Sequence, residues 1–159
     1  WHRIEKALWA DKSLAGMSPV ADQLLADTKD LVDRIETVEL TADQVTNGAK
    51  ELLDEVATGK VTGEEERYSR TDLWDFQANV DGAKQAFESV EAIVAKKDAG
   101  LVTELDTAFD ALQAELDKYK QGNGFVLYTA LTPAQVKALA AKVEALSEPL
   151  SELTSAVVS

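Results

Sequence analysis

The 159-residue chain has no cysteine and a single histidine, His2. The first absence removes thiolate catalysis, disulfides and soft thiolate metal sites together. It does not fix the compartment, since disulfide-free proteins occur on both sides of a membrane. Aromatic residues make up only 6%, glycines number 8 and prolines 3. So few chain-breakers, among abundant Ala, Leu, Val, Glu, Asp and Lys, favour helices. No window holds an uninterrupted apolar run long enough for a bilayer, and no signal peptide is visible. Positive charge is also scarce. Sixteen Lys and Arg face 29 Asp and Glu, a formal net charge of −13. Such a surface repels phosphate backbones, which argues against nucleic acid as a partner, and it concentrates cations.

What is present is legible helix punctuation. Ser18-Pro19 offers an N-cap hydroxyl before a proline whose missing N–H costs nothing at a first helical position. Val20, Leu24, Leu31, Val32 and Ile35 then form an apolar stripe. Thr41-Ala42-Asp43-Gln44 is a capping-box pattern, followed by Val45, Ala49, Leu52 and Val56, with Gly59 as the stop. Thr71 is placed to cap a helix carrying Leu73, Phe76, Val80, Ala83, Phe87, Val90 and Val94. Leu101, Leu105, Ala108, Leu112, Leu116 and Tyr119 repeat the spacing up to Gly122-Asn123-Gly124. Thr132-Pro133-Ala134-Gln135 opens a last helix with Val136, Leu139, Val143, Leu146, Leu150, Leu153 and Val157, which Pro149 should kink without ending.

These stripes predict an all-α, antiparallel bundle of roughly five helices after a short opening one. Phe125-Val126-Leu127-Tyr128 reads as a loop over the bundle end in preference to a strand. Trp1, Ile4, Leu8 and Trp9 are expected to pack the opening helix into the core.

Two stretches can carry chemistry. In His2-Arg3-Ile4-Glu5, residues three apart on a helix lie about 60° apart around its axis, so both side chains reach one point. They offer a cation one imidazole nitrogen and one carboxylate oxygen. That is too few, since zinc wants about four ligands and harder ions about six. A solvated ion pair is the simpler reading of the motif alone. The second stretch, VTGEEERYSRTDLWDFQAN at 61–79, gathers Glu64, Glu65, Glu66, Asp72 and Asp75. Carboxylates in a first helical turn also complement the helix dipole, and a glutamate run is often a solvated loop. Trp74 and Phe76 among the acids would instead hold them in a dry, fixed setting.

Read together, HRIEKALW, MSPVADQLLADTKDLVDRI, NGAKELLDEVATGKVTGEEERYSRTDLWDFQANVDGAKQAFESV and LSEPLSELTSAV resemble the imelysin-like EfeO/EfeM family, over nearly the whole chain. The resemblance implies a helical bundle that binds metal through the His-x-x-Glu motif and carboxylates from other helices. It also implies an extracytoplasmic, periplasmic or lipid-anchored component of EfeUOB-type iron uptake that delivers iron to a membrane permease. The motif maps onto His2 and Glu5, with Glu65 the first additional ligand and Glu64, Asp72 and Asp75 behind it. Iron is the expected ion; zinc, manganese and copper also suit imidazole with carboxylates. Family domains carry further helices before the motif, some with a cupredoxin domain. The opening residues read as the interior of something longer. Residues 1–159 are therefore expected to be the C-terminal part of a helical bundle domain that lacks its N-terminal helices, holding part of the site. A bundle lacking its first helices would expose an apolar groove, which predicts a homodimer.

Despite the family's peptidase name, no enzyme is expected. A zincin needs His-Glu-x-x-His, whereas Arg3 follows His2 and there is no second histidine. A Ser-His-Asp triad would have to use the same lone histidine, without a nucleophile elbow. The alternatives are a cation-dependent module for acidic polysaccharide and a non-catalytic helical interaction domain.

Overall fold

The computed structural model describes residues 1–158, with Lys60 described by its backbone alone. Six helices follow one another: α1 (His2–Trp9), α2 (Ser18–Ile35), α3 (Ala42–Thr58), α4 (Asp72–Val94), α5 (Ala99–Leu116) and α6 (Pro133–Val158). A two-residue hairpin, β1 (Lys120–Gln121) and β2 (Gly124–Phe125), separates the last two.

Helices α3 to α6 form the bundle, and polar contacts between them fix its direction. Asn79, early in α4, donates to the Leu52 carbonyl late in α3 at 3.1 Å. Gln77 donates to Gln113, late in α5, at 2.8 Å. Thr46, early in α3, meets Thr154, late in α6, at 2.9 Å. Lys97 at the α4–α5 turn reaches the Val157 carbonyl at 2.9 Å. Each neighbour therefore runs antiparallel to the next, as short connections demand.

The core follows the stripes read in the sequence. All seven expected positions of α4 are buried. Phe87 lies against Phe109, with centroids 5.9 Å apart and planes 18° from parallel. The pattern departs in detail. Leu53 and Phe109 are buried beside the expected stripes, while the expected Val45, Leu52, Ala108, Val136 and Val157 are only half-buried. Gln44 and Gln135 reach back to the Thr41 and Thr132 N–H groups at 2.9 and 2.8 Å, closing two capping boxes. Helix α6 continues through Pro149.

Several local expectations need correction. The opening helix does not enter the core by its aromatic residues: Trp1 is 81% exposed, while Leu8 and Trp9 are also exposed and Ile4 is half-buried. Its buried residues are Glu5 and Ala7. Helix α2 buries no residue at all, and its Leu25, Leu31, Val32 and Ile35 face outward. Neither helix belongs to the bundle proper. Ser18 lies inside α2, with Met17 at the cap position. Thr71 occupies the α4 cap position, but its hydroxyl pairs with Ser69 at 2.9 Å. Helix α5 ends at Leu116, and a 3-10 turn carries Tyr119 into the core.

The Phe125–Tyr128 run is part strand, part clamp. Phe125 pairs in the hairpin and meets Trp74 edge-on at 5.6 Å. Tyr128 then straps the 59–71 loop to the bundle. Its N–H donates to the Arg70 carbonyl at 2.9 Å, its hydroxyl donates to the Val61 carbonyl, and its ring covers Gly63. Gly63 has φ +70°, and the ring lies where a Cβ would be, so only glycine fits there.

Core and arm should respond differently to mutation. Phe87→Ala removes a fully buried ring and is expected to cost about 3–5 kcal/mol in urea unfolding. Leu31→Ser, on the uncovered face of α2, should change stability by less than about 0.5 kcal/mol. A large loss at Leu31 would mean that α2 packs in solution.

Candidate metal centre

The site lies where α1 meets the acidic loop. One helical turn brings His2 Nδ1 to 3.0 Å from Glu5 Oε2. The other carboxylate oxygen, Glu5 Oε1, accepts three hydrogen bonds from the loop 63 residues further on. The Tyr68 and Ser69 N–H groups donate at 2.8 Å each, and the Ser69 hydroxyl at 3.0 Å. Consecutive N–H groups converge on one oxygen because Arg70 turns the chain with φ +61° and donates its N–H to the Glu66 carbonyl at 2.9 Å. Arg70 Nη1 also donates to the Gly63 carbonyl at 3.1 Å, closing the loop on itself.

That turn aims Glu66 at the same point. Its Oε2 lies 3.1 Å from Ser69 Oγ. His2, Glu5 and Glu66 offer one ligand atom each, all within 4.8 Å of one another. They lie along a cleft of about 450 Å³, whose polar side also carries Glu65, Ser69, Thr71 and Asp75. Trp1, Ile4, Leu8 and Trp9 line its apolar side, which is where the exposed rings of α1 are found.

The expected residues thus separate. His2 and Glu5 meet directly, while Glu65 and Asp75 line the cleft. Glu64 lines a neighbouring groove with His2, Arg67 and Tyr68. Asp72 is fully buried outside the cleft; its Oδ1 accepts the Glu66 N–H at 3.1 Å and so fixes the loop that carries the acids. Glu66, the acid in the cluster, did not stand out from its two neighbours in the sequence. Ser69 was missed altogether, and its one sequence signal is a small hydroxyl residue between arginines and tyrosine.

The two carboxylates are tuned in opposite directions. Burial would push the Glu5 carboxyl up. The Ser69 N–H, His2, the Tyr68 N–H and the Ser69 hydroxyl together outweigh it and hold the group at about 2. Glu66 is pushed up, by burial first, against the Ser69 hydroxyl and with the negative charges of Asp75 and Glu5 adding to the rise. Glu5 is the fixed anion of the pair and Glu66 the group that yields.

Comparison with known proteins assigns the chain to a family. The family model described as imelysin matches residues 1–153, and the chain belongs to that family. Several of its relatives carry iron-uptake names. It is 43% identical over 154 residues to an EfeM/EfeO family lipoprotein of Staphylococcus haemolyticus, covering 96% of this chain and 54% of the relative. It is 39% identical over 156 residues to the iron uptake system component EfeM of Bacillus subtilis, covering 98% and 40%. Against the iron uptake system component EfeO of Escherichia coli O157:H7 the figures are 41% over 153 residues, 96% and 41%. The chain thus spans about half or less of the length of the curated relatives it matches. No helix among the described residues is long and apolar enough to cross a membrane.

The Glu5 tie has a pH signature. Its folded-state pKa lies below the ordinary value of 4.5, so the stabilisation is complete above pH 4.5 and fades as pH falls toward 2. A shift of that size is worth about 3 kcal/mol. Wild type should lose most of that, about 2 kcal/mol more stability than Glu5→Gln, between pH 5 and 2.5 in denaturant titrations. Parallel pH profiles for the two proteins would show that the carboxylate does not hold the loop.

Proposed function

We propose that this domain captures iron for a bacterial iron uptake system, outside the cytoplasmic membrane, and passes it to a membrane permease. The ion is held by His2, Glu5 through Oε2, and Glu66, with Glu65 and Asp75 lining the same cleft. The single observation that carries this reading is the convergence of one imidazole and two carboxylates, from distant parts of the chain, within 4.8 Å. Donors bound about 2.1 Å from one cation stand roughly 3–4 Å apart, so small side-chain movements close the set. The iron-uptake names and the lipoprotein name of the relatives support the cargo and the extracytoplasmic setting.

The donor chemistry suits carriage. Three protein ligands of mixed nitrogen and oxygen type leave positions open, through which a cargo ion can enter and leave. Nitrogen with carboxylate oxygen also accepts zinc, manganese or copper, so ligand type alone does not select iron. Proteolysis by a zincin route fits poorly, because the lone histidine leaves zinc without its second imidazole.

Anaerobic titration with Fe²⁺, alongside Zn²⁺, tests the ligand set. Glu66→Gln and His2→Ala should each weaken binding at least tenfold, about 1.4 kcal/mol, whereas Glu64→Gln should leave it within twofold. Equal affinity in wild type and Glu66→Gln would remove the proposed site. Peptide turnover that survives purification and disappears in His2→Ala would overturn the non-enzymatic reading. The uncovered apolar faces of α1 and α2 support association of two copies; a monomer by light scattering at high concentration would exclude that dimer.

A further inference from the structure

Ser69 is 3% exposed, and its hydroxyl sits among three oxygens: Glu5 Oε1 at 3.0 Å, Glu66 Oε2 at 3.1 Å and Thr71 Oγ1 at 2.9 Å. A hydroxyl carries one hydrogen. Both carboxylates accept, so that hydrogen serves them by turns or as a shared donor, and the Thr71 hydroxyl must be the group that donates to Ser69. The consequence is geometric. Glu5 Oε1 already takes two N–H groups at 2.8 Å and is saturated by the third donor. Glu66 Oε2 is turned toward the same hydroxyl. Each carboxylate is thereby left with one oxygen for any other partner.

Resting on the metal-site reading above, we propose that Ser69 is the positioning residue that sets this site's ion preference. By engaging one oxygen of Glu5 and one of Glu66, it makes both carboxylates one-point ligands beside a nitrogen donor. Calcium takes six to eight oxygens and draws on two-point carboxylates in a flexible shell. Transition ions bind well to a few short bonds that include imidazole. A site whose acids are pinned in this way favours the second group. The two backbone N–H donors to Glu5 remain when the hydroxyl is removed, so the loop keeps its anchor.

The test is competition titration of the full chain with Zn²⁺, Mn²⁺ and Ca²⁺, with a thermal melt of each metal-free protein. Ser69→Ala is expected to weaken Zn²⁺ binding about tenfold or more, to narrow the Zn²⁺-to-Ca²⁺ ratio by at least that factor, and to leave the metal-free protein folded, with a cooperative melt lowered by no more than about 10 °C. Ser69→Thr, which keeps the hydroxyl, should restore the ratio. Should Ser69→Ala fail to fold, the wild-type ratio decides: a site that binds Ca²⁺ as tightly as Zn²⁺ is not made selective by pinned acids and overturns the role of Ser69. An unchanged ratio in the folded variant, with wild type still binding Zn²⁺, overturns the role of Ser69 alone. Wild type that binds none of the three ions overturns the metal site and this role together.

Discussion

One buried oxygen organises this molecule outside its bundle. Glu5 Oε1 accepts from Tyr68 N–H, Ser69 N–H and the Ser69 hydroxyl, and these bonds join α1 to a loop more than sixty residues away in sequence. Little apolar burial supports that junction, since Ala7 is the one buried hydrophobic residue of α1. A hydrogen bond to an ionised group contributes about twice what a neutral one does, and three on one oxygen can hold a helix that packing does not. The tie also works in the other direction. A loop rich in glutamate has no intrinsic reason to fold back on itself, and a fixed carboxylate gives its backbone N–H groups a place to converge.

The rest of the loop is determined by the bundle. Tyr128 binds it at both ends, through the Val61 and Arg70 backbones, and its ring closes over Gly63. Asp72, at the start of α4, takes the Glu66 N–H. The hairpin before Tyr128 is held by Phe125 against Trp74. Rigidity therefore passes from the apolar core through an aromatic clamp into the acids. Donor groups built on such supports need little reorganisation when they meet a charged partner.

How much of this was legible depends on what kind of signal each residue sends. Helix α4 shows its stripe in sequence and buries all of it, because a 3.6-residue period reports a face directly. Helix α2 shows a comparable stripe and buries none. Periodicity reports that a face is apolar and says nothing of what covers it. His2 and Glu5 were visible for the same reason as α4: two positions on one turn have a fixed relation. Glu66 was hidden because a loop has no period. Which of three adjacent glutamates turns inward depends on Arg70 adopting a left-handed conformation and on Asp72 pinning one N–H, and neither leaves a mark on composition. Trp1, Leu8 and Trp9 misled because large apolar residues usually mark a core, whereas here they line a cleft.

The charge arrangement bears directly on the metal site proposed above. Two neighbouring carboxylates normally relieve their repulsion when either takes up a proton. Glu5 cannot, since its loop donors hold it at about 2. The whole burden falls on Glu66, pushed up by burial and by Glu5 and Asp75. Burial and those neighbouring charges make the ionised form of Glu66 less favourable than that of a free glutamate. In the metal-site reading proposed above, the same three donors that fold the loop also keep Glu5 charged for a cation, and a substitution at Glu66 relieves the repulsion only by giving up the charge that would attract it.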